Sequence, residues 1–121
     1  MSDADLLAKS ADDLDLEIGR TLLADQLGSK DVTDSEAKAA ARRWLAANLD
    51  GFRRAVCTNA VVRGQLMAQT SKTRNELFAA VLDALLKVGG GGIVPVATLS
   101  ARLIHYGLDR LCAERPETSG P

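Results

Sequence analysis

The chain has 121 residues, 46% of them hydrophobic and 26% charged, with a formal net charge of −1. This length and mix describe one globular domain able to bury about two-thirds of its unfolded surface, and exclude a disordered or fibrous chain. The near-zero total gives no overall attraction to nucleic acid or an anionic membrane.

The charges are nevertheless unevenly placed. Residues 1–36 carry ten Asp or Glu against Lys9, Arg20 and Lys30, whereas residues 37–74 carry eight Lys or Arg against Asp50 alone. The first third is acidic and the middle is basic.

Helix-start signals recur along the chain. Ser2 and Asp5, Ser10 and Asp13, Thr33 and Glu36, and Thr73 and Glu76 each place an N-cap side chain three residues before a carboxylate. A short helix is expected from about Asp3 to Lys9. From Ser10, Ala11, Leu14, Ile18 and Leu22 form one apolar face that stops at Gly28. After Thr33, an alanine-rich helix runs to about Leu49, with Ala37, Ala41, Trp44 and Leu45 turned inward. Asn48, Asp50 and Gly51 mark a kink or a new helix, which continues through Phe52, Val56, Ala60 and Val61 to about Met67.

Arg74 to Val88 predicts a strongly apolar helix, ended by the glycines at 89–92, which form a hinge or tight reversal. Pro95 then suits the first turn of a helix over 94–112. The two apolar helices are adjacent and should pack as an antiparallel hairpin. The expectation is an all-α, compact bundle of five or six helices with a hydrophobic C-terminal hairpin. Residues 1–112 make the domain, and 113–121 have the composition of a disordered tail or linker. In architecture alone, six short helices with this charge split resemble death-fold-type adaptor modules.

The helix over 94–112 is hydrophobic around most of its circumference, which places it centrally. Its exceptions, Thr98, Arg102, His105 and Asp109, share a sector roughly 60° wide at 100° per residue. Asp109 could orient His105 one turn away, as a general base requires. A Cys112–His105 dyad fails on geometry, because seven residues of helix span about 10.5 Å and a hydrogen bond about 3 Å. A single histidine gives little support to a histidine-based metal site. The glycine run lacks the Lys and Ser or Thr of a phosphate-binding loop, since Ile93, Val94 and Pro95 follow it.

No cofactor or metal is therefore expected, and no catalytic residue. The favoured function is non-enzymatic contact with a protein partner or another copy of the chain, through oppositely charged helical surfaces. The residues assigned to it are Asp12, Asp13, Asp15 and Glu17, Arg42, Arg43, Arg53 and Arg54, with Arg102, His105 and Asp109 as a further contact edge. Two alternatives remain: membrane action through the 77–108 hairpin, and nucleic-acid binding through the basic 38–74 region. The two cysteines, Cys57 and Cys112, make no disulfide framework and read as core thiols. With no signal-peptide order at the N-terminus, a reducing cytoplasm is the expected compartment.

Overall fold

The computed structural model describes residues 3–27, 32–67, 74–89 and 92–113. Among them are seven helices, α1 (Asp3–Ala8), α2 (Ala11–Leu27), α3 (Asp34–Cys57), α4 (Ala60–Met67), α5 (Arg74–Lys87), α6 (Val96–Tyr106) and α7 (Leu108–Ala113). The all-α class is found, with two boundaries displaced from their expected positions. Of the expected tail at 113–121, Ala113 belongs to α7 and the rest lies outside the described residues.

The helix expected over 94–112 is two helices. Gly107 has a φ of 102°, in the left-handed region, and its N–H bonds to the carbonyls of both Leu103 and Ile104, closing α6. Conversely, α3 runs unbroken through Asn48, Asp50 and Gly51. The Asn48 amide donates along the helix to Trp44 O instead of capping a new start, and Leu45, Phe52 and Val56 keep one buried face through the weak point. The real break is at Thr58. There the Asn59 side chain caps α4, accepting from Val61 N at 2.9 Å and Val62 N at 3.1 Å.

The upstream start signals at Ser10 and Thr33 act as caps. Ser10 Oγ accepts from Asp13 N, and Thr33 and Glu36 form a complete capping box. The Thr33 backbone and hydroxyl donors hold the Glu36 carboxyl below its ordinary pKa. Ser2 and Thr73 lie outside the described residues.

The main core joins Ile18 and Leu22 of α2, Leu45, Phe52 and Val56 of α3, Val81 and Leu85 of α5, Leu99 and Leu103 of α6, and Leu108 and Leu111 of α7. A second cluster, of Leu6, Leu7, Leu14, Phe78 and Ala101, lies under α1. Helix α6 is the central element: Thr98, Leu99, Ser100, Ala101 and Leu103 are all buried. It packs on α5, α2, α1 and α7. The Ser100 hydroxyl, fully enclosed, donates to Val96 O at 2.8 Å, so its burial leaves no unmade bond there.

Helices α2 and α3 are antiparallel partners in unusually close contact. Asp15 meets Arg42, and Gly19 meets Ala37, so one index falls as the other rises. A Cβ built on Gly19 would lie 1.7 Å from Ala37 O. No side chain fits there, and the glycine is what lets the two backbones touch. Gly51 presents the opposite case, since a Cβ there meets nothing within 4 Å.

Cys57 and Cys112 are joined as a disulfide, with Cα atoms 5.5 Å apart. This corrects the reading of both as core thiols. The break at Gly107 allows α7 to turn back onto the end of α3, and a continuous helix over 94–112 would not have made that turn. Arg53 Nε reinforces the junction by donating to Leu111 O at 2.8 Å.

Two stability measurements test this description. Gly19→Ala should lower the urea midpoint by the equivalent of about 1–3 kcal/mol, as overpacking at a helix contact does. Gly51→Ala should raise it, by up to about 1 kcal/mol, through helix propensity alone. Separately, the disulfide closes a loop 55 residues long, for which chain entropy gives about 4 kcal/mol. Reduction, or Cys57→Ser with Cys112→Ser, should therefore lower the calorimetric Tm by roughly 10 °C or more.

Candidate functional site

The polar row of the C-terminal segment does not form one site. Thr98 is buried, Arg102 turns to α2, His105 stands near the end of α6, and Asp109 is exposed on α7 beyond the Gly107 break. The helical spacing that set Asp109 beneath His105 does not exist, because no single helix carries both.

In its place the structure assembles a charge cluster from three helices. Asp12 and Asp15 stand three apart on α2, and Lys38 and Arg42 stand four apart on α3, so each pair shares a face. Asp15 is 2% exposed. Its Oδ1 accepts from Arg102 Nε at 2.6 Å, and its Oδ2 from Arg42 Nε at 3.4 Å. Arg42 also donates to Asp12 at 3.0 Å, and Lys38 lies 3.9 Å from Asp12.

Chemically the cluster is saturated. Each Asp15 oxygen already faces a guanidinium, and the Arg102 side chain is itself 13% exposed. A carboxylate so enclosed serves as an internal tie between α2, α3 and α6. It offers no free edge to a substrate.

Several of the other predicted contact residues also bond within the fold. Glu17 pairs with Lys9, and Arg53 pairs with Asp50 as well as with Leu111 O. Asp15 and Arg53 were expected on an outer face; both point inward. Asp13 is exposed at the start of α2, and Arg43 and Arg54 are exposed on α3 without an acidic partner among the described residues. By helical geometry Arg43 and Arg54 share one face, about 16.5 Å apart, with Asp50 between them.

Around Arg54 lies a feature the sequence reading missed. An open groove of about 410 Å³ runs between the ends of α3 and α5, lined by Gly51, Arg54, Ala55, Ala84, Lys87 and Val88, with Thr58 and Asn59 at one end. Exposed apolar side chains occur on α4 and about the α5–α6 connection: Val61 at 54%, Val88 at 61% and Ile93 at 50%. The only sequence-level trace of the groove is the small-residue set 51, 55 and 84, which reads equally as ordinary helix surface.

Among the described residues, no helix is long and apolar enough to cross a membrane, and no three His, Cys, Asp or Glu side chains gather as metal ligands. Phe78, Val81 and Leu85 of α5 and Leu99 and Leu103 of α6 are at 0% exposure in the core, while Leu86 of α5 is 57% exposed. Comparison with known protein families, curated proteins and solved structures finds no match to the chain.

The cluster makes an asymmetric prediction. Asp15→Asn removes the partner of the largely buried Arg102 and should cost about 3–5 kcal/mol in a urea unfolding series. Asp12→Asn, which removes an exposed carboxylate from Arg42 and the half-buried Lys38, should cost less than about 1 kcal/mol. Asp15→Leu combined with Arg102→Met should recover most of the first loss, since an apolar pair can replace a buried ion pair.

Proposed function

We propose that the chain is a non-enzymatic protein-interaction module that contacts its partner through the cationic end formed by α3, α4 and α5. The observation that supports this reading is the uneven neutralisation of charge. Arg20, Lys38, Arg42, Arg53 and Arg102 all face acidic groups of the fold. Arg43, Arg54 and Arg63 face none among the described residues, and two of the three, Arg54 and Arg63, lie toward this end together with exposed Val61 and Val88. Apolar area with flanking arginine is a favourable composition for a contact surface.

The docking of whole acidic against whole basic surfaces loses support, since much of that complementarity is used between α2 and α3. Head-to-tail assembly of copies loses support for the same reason, and a different protein is the better occupant. The Cys57–Cys112 bond favours a folded chain that works in an oxidising setting over the reducing cytoplasm.

A photo-crosslinking residue scanned over exposed positions of the full chain tests the proposal, in extracts of cells that make it. Replacing Ala24, Ala46, Thr58 and Ala79 in turn samples four faces. The expected outcome is one discrete adduct, strongest from position 58, lost with Arg54→Glu and weakened as salt rises from about 0.05 to 0.5 M. A discrete adduct from another face would move the surface. No discrete adduct from any position would end the interaction reading.

A further inference from the structure

We infer that the groove between α3 and α5 seats an acidic amphipathic helix of a partner protein, an assignment that rests on the interaction reading above. Positions 51, 54 and 55 of α3 with its C-cap residue 58 form one stripe, and 84 and 87 of α5 with residue 88 just past its end form the facing stripe. The stripe on α3 is about 10.5 Å long, close to two helical turns of a ligand. Glycine and alanine make the floor, while Arg54 and Lys87 stand at the rim.

Gly51 supplies the clearance. Gly51 and Gly64 are both helical glycines with nothing within 4 Å of a built Cβ, and of the two only Gly51 lines the groove. At Gly19 the contact is internal, because the Ala37 backbone occupies the place of the missing Cβ. At Gly51 nothing of the chain comes within 4 Å of that place, and the space opens onto the groove. A partner backbone laid over Gly51 would use the gap as Ala37 uses the one at Gly19.

Charge selects the partner. The Thr58 hydroxyl donates to Arg54 O and the Asn59 Oδ1 caps α4, so the neutral polar groups of the groove are partly engaged by the chain itself. Arg54 has no acidic partner among the described residues, and Lys87 shares only the exposed Asp83, at 3.3 Å. A helix with Ala or Leu at i and i+4 and Asp or Glu on both flanks satisfies floor and rim together.

The acidic helix of a second copy does not qualify. On α2, Asp12, Asp15 and Glu17 are held by Lys38, Arg42, Arg102 and Lys9, and exposed Asp13 at the helix start does not by itself supply acidic flanks on both sides of an apolar stripe. A bilayer fits less well than a helix, because a flat surface leaves the concave floor empty.

The test is selection from a displayed library of helix-forming peptides, about 18 residues long, against the oxidised full chain, followed by titration of the enriched peptides. Enriched sequences should be acidic with an apolar i, i+4 stripe. Arg54→Glu and Gly51→Leu should each weaken their binding by about tenfold or more, and Arg43→Glu by less than about twofold. The open space at Gly51 allows Leu without unfolding, which a thermal melt checks. Basic winners, no winners, or peptides that bind Gly51→Leu as tightly as the parent would overturn the assignment. So would Arg54-dependent binding to phosphatidylserine vesicles in place of peptides. If the position-58 adduct persists despite such a result, the helix occupant alone is lost; if every adduct is absent too, the interaction reading is lost with it.

Discussion

The enclosed carboxylate of Asp15 constrains the fold more tightly than any other polar group described. Taking such a group out of water costs several kcal/mol, and only close, well-directed partners offset it. Those partners come from α3 and α6, respectively 27 and 87 residues further along the chain. Apolar packing alone would let α2 slide or rotate against its neighbours at modest cost. A buried acid that must meet two particular guanidiniums admits far fewer arrangements. Gly19, one turn from Asp15, completes the constraint by letting α2 approach the α3 backbone. The steric gap and the ion cluster fix the same pair of helices in the same antiparallel register.

This arrangement changes what the charge division in the sequence means. A −7 segment followed by a +7 segment suggests two surfaces waiting for partners. Folding instead presses parts of them together along α2 and α3, where Asp12 and Asp15 meet Lys38 and Arg42. Among the described residues, Arg43 in the middle of α3, Arg54 toward its end and Arg63 on α4 remain without an acidic partner. The surface we propose for partner contact is drawn from the part of the charge pattern that the fold does not consume, and it is smaller than the pattern implies.

The helical class, the caps at Ser10 and Thr33 and the central burial of the segment at 96–106 were legible in the sequence because each rests on spacing within a few residues. Leu14, Ile18 and Leu22 announce a face, and Thr33 with Glu36 announces a start. The errors occurred where a distant contact decides. Gly51 reads as a breaker by local propensity, yet the buried face of Leu45, Phe52 and Val56 carries α3 past it. Gly107 sits inside a long apolar pattern and ends the helix regardless. The Asp15–Arg102 pair and the Cys57–Cys112 bond, 87 and 55 residues apart, have no local signature at all. The groove was invisible for a related reason: a small residue on a helix surface marks a binding floor only when a second helix supplies the opposite wall.

The C-terminal clasp and the groove are mechanically connected. The last two turns of α3 present Arg53 and Cys57 to α7 and, about 100° further round, Arg54 and Thr58 to the groove. The disulfide and the Arg53–Leu111 hydrogen bond therefore brace the back of the wall that carries the groove's free arginine. Burial of Leu108 and Leu111 holds α7 to the core behind that wall. A braced wall loses little conformational freedom when a ligand settles against it, so more of the contact energy is available for affinity. A six-residue helix with no intrinsic stability of its own thus acquires a role. On the proposed reading, it converts the covalent link between two distant cysteines into rigidity of the wall that carries Arg54.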